Sequence, residues 1–169
     1  MSLSKQERLE NLDLAITLMM SELGEQDVCS VYFDIDGNSS KNIFPTTWQQ
    51  LENDGYIERH DTLTSNGCRL TGSGWLEGLK LTGKLGDPEL TVQIGRIMAA
   101  LKTSIDGRNA PAFVSPESIA EQADVSYGLV FNVIDSRFIY IILNRHDADW
   151  EGQRGNIIKV PIDFGLEPL

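Results

Sequence analysis

Two helix starts stand eleven residues apart, at Ser115 and Ser126, and that spacing leaves the chain between them little choice. Ser115-Pro116-Glu117 supplies a hydroxyl N-cap, a proline at the first helical position and a carboxylate beside the positive end of the helix dipole. The helix it opens runs to about Gln122. Ala123-Asp124-Val125 then reads as a tight turn, and Ser126 caps a second helix carrying Leu129, Val130, Val133 and Ile134. Two short helices joined by so short a turn must cross closely. Ala120 is small enough to allow the crossing, and Val125 is placed to plug the turn from below.

The flanking segments extend the pattern. Asp87-Pro88-Glu89 repeats the same start chemistry, and Leu90, Ile94, Ile97, Met98, Leu101 and Ile105 form one stripe of a helix that Gly107 ends. After the Ser126 helix, residues 138–143 read as a buried strand, 144–155 as a polar loop and 156–164 as a return strand. In the first half, residues 4–23 carry Leu9, Leu12, Ile16, Met19, Met20 and Leu23 at helical spacing before Gly24. Residues 28–35 read as a strand from the alternation of Val31, Phe33 and Ile35, although Val28, Val31, Tyr32 and Ile35 also suit a helix. Thr46-Thr47-Trp48-Gln49 has capping-box spacing with Pro45 before it, and predicts a helix to about Asp54 that buries Trp48 and Leu51. Residues 56–61 and 68–71 read as a hairpin turned by Asn66-Gly67, with a helix over 73–81 behind it. The glycines at 83 and 86 mark a boundary between a module of residues 1–84 and one of residues 87–169.

The order helix, helix, tight turn, helix, strand, loop, strand over residues 88–164 resembles the winged helix-turn-helix family. Within it, residues 115–126 look like the helix-turn-helix core. Residues 48–57, where a helix ends in leucine, acidic residues and glycine before an apolar strand, are similar to the recognition-helix end and wing start of MarR- and PadR-type regulators. Residues 69–76 are similar to their closing segment. The fold the resemblance implies is α+β and mainly helical: tandem winged helix-turn-helix modules with two small β-wings. It also implies a non-catalytic, DNA-binding regulator. Thr47, Gln50, Tyr127, Asn132 and Arg137 would then face the major groove, Gln50 or Asn132 reading adenine, while Arg59, Arg69, Arg145 and Arg154 would reach phosphates from the wings.

Charge brings in a second reading. The 169 residues carry 14 basic and 25 acidic side chains, a formal net charge of −11. Residues 1–89 hold 7 basic against 15 acidic groups, and residues 90–169 hold 7 against 10. A field of that sign repels phosphate at long range. Glu52, Asp54 and Asp135 lie on the expected recognition helices, and Asp147, Asp149 and Glu151 dilute the arginines of the second loop. Acidic tandem winged helices also resemble protein-interaction adaptors, whose wings face protein. Trp150, isolated among charged residues, is the partner contact that reading singles out. Residues 4–23 and 88–106 are apolar enough to serve a homodimer or to pack the modules internally.

Other chemistry is weaker. Phe33-Asp34-Ile35-Asp36-Gly37 resembles the first motif of haloacid dehalogenase phosphatases, in which Asp34 would attack phosphorus and Asp36 would protonate the leaving group with Mg²⁺. No later aspartate pair completes that metal site, and a polar turn after a strand explains the motif. The same stretch fails as a calcium loop, with glycine at 37 and Pro45 at the closing position. Cys29, Cys68, His60 and His146 are not paired at zinc spacing. The reading is therefore no cofactor, no metal and no enzyme. Two cysteines, no apolar run of membrane-spanning length and no visible leader place the chain in the cytoplasm.

Overall fold

A computed structural model describes residues 4–37, 42–136, 149–151, 157–162 and 164, and main chain alone over 149–151. The chain divides into two compact units, Met1–Leu85 and Gly86–Leu169. Both are α+β, helix-rich, and carry a small antiparallel sheet.

In the first unit, α1 (Lys5–Leu23) starts at Ser4, whose hydroxyl accepts from the Glu7 amide while the Glu7 carboxylate accepts from the Ser4 amide. This reciprocal pair satisfies two of the donors a helix start leaves open. Ala15, Ile16, Met19 and Met20 form the buried face. The segment after Gly24 is turned, with the Ser30 and Val31 amides both donating to the Asp27 carbonyl, so the strand expected over 28–35 shrinks to β1 (Phe33–Asp34). Val28 and Cys29 are still buried, which explains their apolar character without a strand.

Helix α2 (Pro45–Asn53) begins one residue before the expected capping box. Pro45 takes a first-turn position and Phe44 is the N-cap, with no side-chain cap bond. The hairpin also differs from expectation. β2 (Ile57–Asp61) and β3 (Asn66–Leu70) pair in register Ile57↔Leu70 through Asp61↔Asn66. The turn is therefore residues 62–65, closed by the Thr62 amide on the Ser65 carbonyl (2.8 Å), and Asn66-Gly67 lies within β3. β1 pairs antiparallel with β3, giving the order β1-β3-β2.

Helix α3 (Gly72–Leu81) is capped by Thr71 and presents Gly74, Trp75, Gly78 and Leu79 inward. The Trp75 indole N–H donates to the Glu25 carbonyl (2.8 Å), tying α3 to the segment after α1.

In the second unit, the Asp87 carboxylate caps α4 (Pro88–Ile105) by accepting from the Glu89 and Leu90 amides (2.8 and 3.1 Å). Leu90, Ile94, Ile97, Leu101 and Ile105 are its buried stripe. β4 (Ala112–Val114) follows, an unexpected three-residue strand. Ser115 caps α5 (Pro116–Ala123). Asp124 closes that helix in the left-handed region (φ 53°), and Ser126 caps α6 (Tyr127–Asp135). The Val125 amide donates to the Ala120 carbonyl (3.1 Å), which fixes the turn. β5 (Asp149–Glu151) lies within the stretch read as loop, and β6 (Ile157–Val160) forms the return strand. The sheet order is β4-β6-β5, all antiparallel. Residues 138–143 lie outside the described residues.

The tightest approach in the first unit is at Gly74. A Cβ there would overlap the Tyr56 carbonyl oxygen, a backbone atom that cannot step aside. At Gly78 the added Cβ would meet Met20 Cγ and Sδ, both at 2.8 Å, and Ile16 Cγ2 at 3.3 Å, all side-chain atoms, which can shift where the Tyr56 carbonyl cannot. Gly74→Ala should therefore cost about 3 kcal/mol by overpacking. Gly78→Ala should stay within about 1 kcal/mol of wild type, because alanine's helix preference offsets the strain. Urea unfolding of the two variants checks this, and equal losses would contradict it.

Candidate functional site

The polar chemistry of the first unit gathers at one end of its sheet. Asp34 Oδ1 accepts from the Asp36 amide (3.0 Å), turning the chain as it leaves β1. The Asp36 carboxylate accepts from the Asn66 backbone amide (2.9 Å) and from its side-chain amide (2.9 and 3.0 Å). Asn66 stands opposite Asp61 in the β2–β3 register, and Asp61 pairs with Arg59 at 3.2 Å. Arg59 Nε is shielded from solvent and has no acceptor among the described residues. A buried donor left in that state costs about 1–3 kcal/mol.

These groups border a cleft of about 310 Å³. Ile35, Ile43, Pro45 and Trp48 form its apolar walls; Asp36, Arg59 and Asn66 are its polar members. Trp48 is itself held from behind by Phe33, the ring centroids 5.8 Å apart.

The residues expected to touch DNA are placed differently. Thr47 does not face solvent: it is buried, and its hydroxyl donates to Asn11 Oδ1. Asn132, expected on an exposed helix face, is 0% exposed. Gln50 is half-buried and donates to Asp54 Oδ1 (2.8 Å). Arg69 reaches across the sheet to Glu58, with Nη2 at 2.6 Å and Nε at 2.9 Å, and gives Nη1 to the Cys29 carbonyl (3.0 Å). Tyr127 is half-buried, its ring 6.3 Å from that of Phe131. Arg137, Arg145, Arg154 and His146 lie outside the described residues. Trp150 sits in β5 opposite Ile158, its side chain also outside what is described.

The remaining candidates are settled locally. His60 is exposed, its ring 5.0 Å from Tyr32. Cys29 and Cys68 are buried and neither is in a disulfide; burial pushes the Cys68 thiol up to about 12, so it holds its proton at neutral pH. Among the described residues no three His, Cys, Asp or Glu side chains converge on a metal position, and every strand pair is antiparallel. The arrangement the phosphatase motif calls for, an aspartate delivered by a strand of a parallel sheet, is not the one β1 makes. Among the described residues no helix is long and apolar enough to cross a membrane.

The chain matches no family model, no curated protein and no solved structure. The residues must therefore speak for themselves, and sequence reading missed Asn11 altogether. Its amide donates to the Asn42 carbonyl (3.2 Å), while its oxygen accepts from the Phe44 amide (3.1 Å) and Thr47. The signal was its position: Asn11 precedes Ala15 and Met19 by one and two helical repeats, so it belongs to the buried stripe.

Asp36 carries the pH-dependent member of this cluster. The Asn66 side-chain amide, then its backbone N–H, hold the carboxyl below the ordinary aspartate value. Burial opposes them and the Arg59 charge adds to them. A depressed folded pKa means the contact contributes fully above the unfolded value and fades as pH falls through the folded one. The Asp36–Asn66 anchor should therefore persist until the acid side of the ordinary aspartate range. An NMR titration of the Asp36 carboxyl carbon and the Asn66 amides reads this directly, and an inflection at or above the ordinary value would contradict it.

Proposed function

We propose that the protein is a non-catalytic protein-interaction adaptor built from two winged-helix-like modules. Three features support the module reading. In both units a helix precedes a short strand, one or more helices follow among the described residues, and two further strands come after. The first strand of each sheet pairs with the last, giving the order first-last-middle twice. In the second unit α5 and α6 are joined by a tight turn through Asp124.

The observation that carries the adaptor reading over a DNA-binding one is the state of the expected DNA contacts. Of those described, Thr47 and Asn132 are buried, and Gln50, Arg59 and Arg69 are engaged with Asp54, Asp61 and Glu58. Base readout needs side chains that reach a groove edge, and phosphate binding needs cations with charge to spare. On α6 every residue is buried or half-buried, so the helix that would enter the groove offers no open face. The net charge of −11 acts in the same direction at long range.

Fluorescence anisotropy with a labelled DNA duplex at low ionic strength tests the choice. The adaptor reading expects no binding that weakens with added salt. A steep negative dependence of affinity on salt would reverse the conclusion in favour of DNA. In a pull-down with the full chain, Trp150→Ala should lose at least one captured protein, and an unchanged profile would remove Trp150 from the interface.

A further inference from the structure

We infer that Asn66 is a latent self-modification site, at which the Gly67 backbone nitrogen displaces the side-chain amide as ammonia, and that Asp36 keeps the site closed while the first unit is folded. Asn66-Gly67 is the dipeptide in which this chemistry meets least hindrance. Glycine adds no Cβ beside the attacking nitrogen and turns freely into the geometry of attack. The Gly67 nitrogen, its proton taken by water or hydroxide, bonds to Asn66 Cγ. The Cγ–Nδ2 bond breaks, ammonia leaves, and water opens the resulting cyclic imide at either carbonyl. The product at position 66 is aspartate or isoaspartate, and water is the only co-reactant. Nothing in this chemistry depends on the adaptor function.

The native contacts oppose each step. The Asn66 side-chain amide donates to both Asp36 oxygens (3.0 and 2.9 Å), its backbone amide donates to Asp36 Oδ2 (2.9 Å), and its carbonyl accepts from the Ile35 amide (2.9 Å). Gly67 stands between Asp34 and His60 in the sheet, so the attacking backbone belongs to a paired strand. The Asp36 charge also disfavours the negative charge that develops on the Asn66 oxygen as the ring closes. Yet Asn66 is the first residue of β3, next to the turn at 62–65, and strand ends are where local opening begins. Released there, Asn66-Gly67 has the turn chemistry that brings side chain and nitrogen together. The reaction also destroys the contact it escapes. A carboxylate at position 66 gives up the side-chain donors and faces Asp36, with Asp61 opposite it in the β2–β3 register. Like charges so placed repel, and the strand end does not close again.

The test incubates the full-length protein at mildly alkaline pH and follows position 66 by peptide mass spectrometry. A synthetic peptide of residues 61–71 and the same protein in urea serve as open references. Isoaspartate at position 66 marks the imide route. Folded wild type should convert at least about tenfold more slowly than either reference. Asp36→Ala should convert at least about tenfold faster than folded wild type, because it loses charge-assisted hydrogen bonds. Asp36→Asn, which keeps an acceptor oxygen, should fall between. Gly67→Ala, whose Cβ meets no listed neighbour closer than 3.5 Å, should fold and suppress the conversion. Asn66→Asp, the product made directly, should unfold at lower urea than wild type at neutral pH, and the gap should narrow as acid protonates the carboxylates. Folded wild type converting as fast as the peptide would overturn the inference, as would folded Asp36 variants converting no faster than wild type. Fast hydrogen exchange of the Asn66 amide in wild type would overturn it too, a measurement that needs no variant to fold.

Discussion

Helix α2 enters the first unit without a cap of its own, because Phe44 at its N-cap has no side-chain oxygen to offer. What ties down that start comes from another helix. Asn11, 7% exposed on the inner face of α1, takes the Phe44 amide and the Thr47 hydroxyl on one oxygen and gives its own amide to the Asn42 carbonyl. One side chain thus fixes where α2 begins relative to α1, and with it the positions of Pro45 and Trp48. Removing it would leave the Phe44 N–H without that acceptor, at a cost of about 1–3 kcal/mol. The placement of Pro45 and Trp48 on the wall of the cleft follows from a polar contact inside an otherwise apolar layer.

That dependence explains what could be read from the sequence and what could not. The starts at Asp87, Ser115 and Ser126 were legible because an oxygen, a proline or a carboxylate acts on amides two or three residues away. The start of α2 was not, because Thr47 answers to Asn11, thirty-six residues distant, instead of to its own turn. The hairpin itself was legible, but its turn was misplaced for the same reason. Asn66-Gly67 has favourable turn chemistry, but Asp36 holds Asn66 in the strand and the reversal moves to residues 62–65. β4 was missed because three residues carry too little periodicity to register, and its pairing with β6 joins residues more than forty positions apart.

The placement of α6 was legible in principle. A stripe of Leu129, Val130, Val133 and Ile134 leaves an open face only if the other positions are polar. Phe131 lies off that stripe, and Gly128 adds no polar surface. A helix apolar on more than one side belongs in an interior, and Asn132 goes in with it. The candidate site in the first unit was half legible. The Asp34–Asp36 motif drew notice as catalytic chemistry, whereas its oxygens are spent on the Asp36 and Asn66 amides and serve to shape a loop.

Where the cations go is the last constraint on a partner. Arg59, Arg69, Lys80, Lys84 and Arg96 each face a carboxylate of the same unit. The Arg69 side chain is 15% exposed and satisfies both Glu58 and the Cys29 carbonyl. Drawing it out to a phosphate would expose no new charge but would strand a backbone carbonyl and a carboxylate, which costs more than a surface contact returns. Lys80–Glu77 and Arg96–Asp124 are exposed pairs and hold little energy, yet they still neutralise the positive ends that an anionic ligand would use. Five cations among the described residues are thus held by carboxylates of their own unit, and the net charge of −11 leaves acidic side chains in excess, a balance that draws positive charge toward the protein and repels an anionic ligand.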